Sequence, residues 1–157
     1  MVISENGSER CVIHPTEFNY TVLITGSHVS LKGFTVSGNG SCGIVVDNAS
    51  SVRITSNVVD KFIGGLIIKG SRVVELVSNS IRENLAGLSI NDSSRVTIQD
   101  NEISQNLIGL ILVNSSNVRI TQNDIIENPI ANLILNSSNN ISIIDNMLTK
   151  SLVGKFQ

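Results

Sequence analysis

Residues 101–120 read NEISQNLIGLILVNSSNVRI, and the same pattern recurs at a step of 22 residues on either side. Asn57, Asn79, Asn101 and Asn123 keep that step, and Asn146 follows after 23. Gly43, Gly65, Gly87 and Gly109 keep it too, with Ala131 in the next place. Asn84, Asn106 and Asn128 form another column. Val52, Val74, Val96 and Val118 form a further one, which Ile141 continues. One extra residue between Pro129 and Asn132 accounts for the longer final step. Agreement in so many columns marks a structural repeat.

Within each unit the apolar residues alternate with polar or variable ones. Val96/Ile98 and Val118/Ile120 are one pair, Leu88/Ile90 and Leu110/Leu112 a second, and Val36, Val59, Ile81, Ile103, Ile125 and Leu148 a third column. A period of two means strands with one buried face. Three short strands in 22 residues leave no room for a helix, and turns of Asn, Gly and Ser-Ser separate them. A unit this small cannot bury its own apolar face, so it must stack on copies of itself.

The expected fold is therefore all-β: a parallel β-helix of about seven coils of 22–23 residues with three parallel sheets. At about 4.8 Å per coil the rod is roughly 35 Å long, and its hand is right by the crossover rule. One domain spans 1–157, with 1–20 as lead-in or cap, 21–150 as regular coils and 151–157 as a tail. Asn57, Asn79, Asn101, Asn123 and Asn146 become an amide ladder at one turn, with Phe34 plugging its first place. The Gly column fits a turn that needs positive φ or close approach.

Composition agrees. The chain holds 22 Ile, 17 Val and 13 Leu against 3 Ala, with 22 Ser and 19 Asn. That bias disfavours long helices, and 41% hydrophobic content disfavours disorder. A net charge of −2 and 3% aromatic residues (Phe18, Tyr20, Phe34, Phe62, Phe156) disfavour nucleic-acid binding. The longest apolar run, Leu107 to Val113, is too short for a membrane span. Met1 to Arg10 lacks a basic start followed by an apolar stretch, so no signal peptide is read. Cys11 and Cys42 are too few for a disulfide framework; two free buried thiols or a single bridge remain open. Eight Asn-x-Ser/Thr triplets, at Asn6, Asn19, Asn39, Asn48, Asn91, Asn114, Asn136 and Asn140, are acceptors for glycosylation or products of Asn- and Ser-rich turns.

The unit from Asn101 through Ile120 resembles the pectin-lyase-like β-helix repeat, and within it the NosD-like group of carbohydrate-binding and sugar-hydrolase modules. The stretch Val29 to Val36 resembles the opening coil of such domains, and the likeness covers about residues 20 to 150. It implies a microbial surface, extracellular or periplasmic setting and carbohydrate as ligand class. It is specific for fold and not for activity. The clustered Asp residues, Gly-His-Gly and calcium-binding Asp with Arg or Lys that its enzymes carry do not stand in this chain.

Glu102 and Asp124 share an outward column one coil apart and are the best catalytic candidates by position. Glu83 and Glu127 share a nearby column, with Gln105 between them. Like charges this close invite a cation, and calcium is the one such oxygen ligands take; no other cofactor is indicated. The alternative is a solvated edge. Cys11, His14, His28 and Cys42 form a soft-metal set only on paper, because they share no column.

The outward place after the Gly column reads Val45, Ile67, Ser89, Ile111 and Ile134, with Val113 beside it. The matching place in the preceding sheet reads Arg53, Glu75, Thr97, Arg119 and Ser142. The greasy stripe points to an interface, by self-association or with an adjacent segment of a longer chain. The reading reached from the residues is a non-catalytic scaffold or binding module, with polysaccharide as the partner that resemblance supplies. A polysaccharide lyase or hydrolase is the alternative, and a metal-delivery accessory protein the second alternative.

Overall fold

The computed structural model describes residues 1–16 and 19–149, and the backbone of 154–156. All of its regular structure is strand, in three parallel sheets of seven strands each. The first sheet stacks Val2–Ile3, Ser30–Lys32, Ser50–Thr55, Arg72–Val77, Ser94–Gln99, Ser116–Thr121 and Asn139–Ile144. The second stacks Val12–Ile13, Thr35–Ser37, Val58–Asp60, Ser80–Arg82, Glu102–Ser104, Asp124–Ile126 and Met147–Leu148. The third stacks Tyr20–Ile24, Cys42–Asp47, Gly64–Lys69, Ala86–Asn91, Ile108–Val113, Ala131–Asn136 and Gly154–Phe156. Seven rungs one above another make about six turns of solenoid. Before the regular coils, Val2–Ile3 and Val12–Ile13 already pair with the next rung.

Register follows the repeat. Val74 pairs with Val96, Leu88 with Leu110 and Ile81 with Ile103. All three sheets turn these columns inward, and Ile54, Leu76, Ile98, Ile120, Ile81, Ile103, Leu88 and Leu110 are fully buried in one cluster. Each such side chain contributes about 1.5–3 kcal/mol of burial. That gain exists only between rungs, because each inner side chain packs on the copies above and below it.

Each corner is closed by a side-chain ladder. At the first corner the backbone N–H of Asn79 donates to Asn101 Oδ1, that of Asn101 to Asn123 Oδ1, and that of Asn123 to Asn146 Oδ1, each at 2.9 Å. The backbone N–H of Phe34 opens this ladder on Asn57 Oδ1 at 3.0 Å. The second corner repeats the device. Phe62 opens it on Asn84, followed by Asn106 and Asn128. The third uses hydroxyls: Ala49, Ser71, Ser93 and Ser115 each donate a backbone N–H to the Ser Oγ one rung on, ending at Ser138. The residue before each ladder position adopts left-handed backbone, as at Ser78, Asp100, Gln105, Asp92 and Asn114. Asn, Asp, Ser and Gly reach that region at least cost, which explains much of the turn composition.

The Gly column answers to close approach rather than to positive φ. A Cβ on Gly65 would lie 2.7 Å from Gly87 O and 2.8 Å from Asn84 Nδ2. Its fifth place is not held by Ala131, however. Ala131 pairs with Ile108 and Leu133 with Leu110, which sets Asn132 opposite Gly109. The extra residue sits before Ala131 and shifts the register by one. Asn132 then ends the second amide ladder, since its Oδ1 accepts from Asn128 Nδ2 at 2.9 Å and its Nδ2 donates to Thr149 O at 2.8 Å.

Candidate functional site

Alternation leaves two outward rows on the second sheet, flanking the buried Val59, Ile81 and Ile103. One row runs Thr35, Val58, Ser80, Glu102, Asp124 and Met147. The other runs Ser37, Asp60, Arg82, Ser104 and Ile126. Glu102 and Asp124 are direct register partners on adjacent rungs, and both are exposed. The Ser104 hydroxyl donates to Glu102 Oε1 at 2.7 Å, joining the two rows and orienting that carboxylate.

Asp60 is the unusual member, a carboxylate only 5% exposed on a sheet's outer face. Its Oδ2 lies 3.8 Å from Arg82 Nε. Its Oδ1 is buried with no hydrogen-bond partner among the described residues. A buried carboxylate needs a compensating charge, and the half-exposed Arg82 guanidinium supplies it as an ion pair longer than a hydrogen bond. Exposed His14 stands at the start of the row, its Nδ1–H donating to Ser37 O at 2.9 Å; a carbonyl only accepts, which fixes that tautomer. Asp60, Arg82 and Ser104 escaped the sequence reading. Their signal is the same 22-residue step, one place after Val59, Ile81 and Ile103.

The remaining sequence candidates are dispersed. Gln105 Nε2 reaches Glu127 Oε2 at 3.4 Å, on the second corner beside Glu83. Cys11 and Cys42 are free and half-buried, and Cys42 lies on the third sheet while His14 lies on the second. Among the described residues no three His, Cys, Asp or Glu side chains gather into a metal-binding group. Burial pushes the Cys42 thiol above its ordinary pKa, and nearby Lys69 offsets this only in part, so it is protonated and a slow nucleophile at neutral pH.

The stripe on the third sheet faces outward, in register from Val45 through Ile67, Ser89 and Ile111 to Ile134. Ile67, Ile111, Val113 and Ile134 are half-buried. Val45 is buried rather than exposed, at 6%, between its ladder neighbours Leu23 and Ile67. Leu23 extends the stripe by one rung. Among the described residues no helix is long and apolar enough to cross a membrane.

Solved structures share this architecture. The mannuronan C-5 epimerase AlgE6 A-module of Azotobacter vinelandii superposes with a TM-score of 0.74 at 17% identity, over 82% of this chain and 42% of its own. The enzymatically active domain of bacteriophage CBA120 tailspike protein 2 gives 0.57 at 16%, over 83% of this chain and 24% of its own. The periplasmic alginate epimerase AlgG gives 0.54 at 17%, over 88% and 48%. This chain thus spans less than half the length of each, and at such identities the likeness speaks for the fold. No curated protein sequence matches. The pattern described by the family model for the right handed beta helix region matches residues 20–155, and with its three parallel sheets in 22-residue register this chain belongs to the right-handed β-helix family.

Proposed function

We propose that this chain is a non-catalytic β-helix module that binds a hydroxyl-rich glycan along the outer face of its second sheet, in an extracellular or cell-surface setting. The observation that carries the reading is Arg82 ion-paired with buried Asp60, with Ser104, Glu102 and Asp124 on the next rungs. The guanidinium supplies paired donors, and the adjacent carboxylates supply acceptors. Alternating donors and acceptors are what neighbouring sugar hydroxyls require. The rung spacing of about 4.8 Å is close to the length of one pyranose, so successive sugars meet successive rungs. The polysaccharide-directed names of the epimerase neighbours support the ligand class.

Charge selects among glycans. Asp60, Glu102 and Asp124 outnumber Arg82 on this face, so a polyuronate is repelled unless a divalent cation such as calcium bridges it. A neutral glycan carries no such penalty.

One observation favours a hydrolase as a second reading. Carboxylates one rung apart approach the separation of about 5–5.5 Å used by retaining glycosidases. Against it, Glu102 and Asp124 both stand exposed to solvent on the outer face of the sheet.

Calorimetry against neutral polysaccharides and uronates, with and without calcium, tests both. Expected is binding of a neutral glycan, at least tenfold weaker for Arg82→Ala, without release of reducing or unsaturated ends. Failure to bind any of the panel refutes the module reading. Cleavage lost in Glu102→Gln or Asp124→Asn establishes the enzyme instead.

A further inference from the structure

At the corner between the second and third sheets, Ile63, Leu85, Leu107 and Ile130 stack on four successive rungs, 60%, 54%, 41% and 53% exposed. An open groove of about 500 Å³ follows this corner, lined by Lys61, Glu83, Leu85, Gln105, Leu107 and Pro129 among others. Beside the ridge the third sheet presents Leu23, Ile67, Ile111 and Ile134, with Ala86, Ile108 and Ala131 filling the row between. Ridge and stripe form one flank that is apolar except at Ser89, between Ile67 and Ile111. Folding does not require it, since the first sheet keeps Arg53, Glu75, Thr97 and Arg119 at its outward places.

We propose that this flank is the contact face of a two-fold dimer, in which a second copy of the chain lies antiparallel across it. With the two-fold axis at the middle of the ridge, the four rungs from Ile63 to Ile130 overlap, roughly 19 Å in length, and a six-residue strand with its corner is about 25 Å wide. That is roughly 500 Å² per copy and about 1,000 Å² in all, the least that a specific interface needs. A two-fold contact must also be self-complementary, and the polar rim of the flank is so in one direction only. With the axis between the rungs of Leu85 and Leu107, Ile63 meets the second copy's Ile130 and Ile67 meets its Ile134. Lys61 then faces the second copy's Glu127, and Glu83 faces its Gln105. A parallel arrangement instead sets Lys61 against the second copy's Lys69, which shares its rung, and like charges in register oppose docking. This proposal uses a different face from the glycan reading and stands apart from it.

Sedimentation velocity of the whole chain tests it. The unaltered protein is expected to sediment as a dimer, and Ile67→Lys with Ile111→Lys as a folded monomer with unchanged melting. Lys61→Glu alone weakens the dimer at least tenfold, and adding Glu127→Lys restores it, because the swap keeps opposite charges facing. In a Cys11→Ser, Cys42→Ser background, Ile63→Cys with Ile130→Cys oxidises to a covalent dimer. Within one chain these two places stand three rungs, about 14 Å, apart, beyond the reach of a disulfide. A monomeric unaltered protein, or a dimer indifferent to the lysine pair, overturns the proposal. So does a dimer that neither crosslinks nor recovers on the charge swap.

Discussion

Replacing Asn101 by Ala in mid-ladder has a cost that can be worked atom by atom. The Asn101 side chain makes five hydrogen bonds. Its Oδ1 accepts from Asn79 N at 2.9 Å and Asn79 Nδ2 at 3.0 Å, and its Nδ2 donates to Leu76 O, Gln99 O and Asn123 Oδ1, each at 2.9 Å. Truncation spares some of these partners. Asn79 Nδ2 keeps Ile54 O, Asn123 Oδ1 keeps the Asn101 backbone N–H, and Gln99 O keeps Ser78 N. The Asn79 backbone N–H keeps nothing, and that residue is 2% exposed. One orphaned buried donor costs about 1–3 kcal/mol and the lost bonds about 1 more, so Asn101→Ala should lose about 2–4 kcal/mol. Asn146 holds the equivalent place on a half-buried rung, where water can replace its oxygen; Asn146→Ala should lose about 0.5–1.5 kcal/mol.

Asn101→Asp sharpens the test. It keeps the acceptor for Asn79 and sets a second oxygen among Leu76 O, Gln99 O and Asn123 Oδ1, which are all acceptors. The folded state therefore favours the neutral acid, and the new carboxyl's folded pKa lies above its unfolded one. Stability is then highest below the ordinary carboxylate range and falls as pH rises through it, whereas the Ala variant shows no such added slope. Urea unfolding at several pH values, with m compared between variants because solenoids can unfold in parts, reads all three. Equal and negligible costs at 101 and 146, or an Asp variant as stable as the Ala variant at neutral pH, would refute a dry, directional ladder.

Gly87→Ala should destabilise by about 1–3 kcal/mol through overpacking, since its Cβ would meet Asn106 Nδ2 at 2.7 Å and Gly109 O at 2.8 Å. Gly26→Ala, whose nearest contact is Val29 Cγ2 at 3.7 Å, is the control expected to leave the melting temperature unchanged. Val73 is β-branched in left-handed backbone at φ 55°, in a column that places Asn117 and Asn140 in the same conformation. Val73→Asn should therefore stabilise by about 1 kcal/mol in the same unfolding assay, and a loss of stability would show that the valine packs usefully where it stands.

The inner columns were legible because two constraints agree at every position. Ile98 must alternate within its strand and must also match Leu76 and Ile120 on its neighbours, so a single repeat unit predicts the burial of all the others. The outer places lack the second constraint. Val45 is outward by alternation yet buried, because its exposure depends on the bulk of Leu23 and Ile67 rather than on its own phase. Ala131 was set opposite Gly109 by counting in steps of 22, whereas hydrogen-bond register places Asn132 there. The serines at 71, 93, 115 and 138 read only as turn residues, since a hydroxyl ladder and a solvated Ser-Ser turn have the same composition. Asp60 and Arg82 stood in plain sight at the right step. Nothing in their identity says that one is buried and the other half-exposed.

The three outer faces carry the information that the repeat does not. Inside, the sheets are interchangeable, since each offers aliphatic columns to one core and each corner spends its polar groups on a ladder. If folding alone governed the surface, the outer rows would be interchangeable too. They are not. The first sheet alternates charge and hydroxyl, with Arg53 Nε on Glu75 Oε2 at 2.7 Å, as a solvated face does. The second gathers carboxylates around one ion-paired arginine, and the third with its corner is aliphatic over four rungs except at Ser89. A solenoid lets each column change without disturbing the core, because an outward side chain touches mainly the rungs above and below it. Differences between faces built on the same interior therefore do not come from folding alone, and they are what the two proposals explain: a glycan for the second face and a second copy for the third, with water on the first.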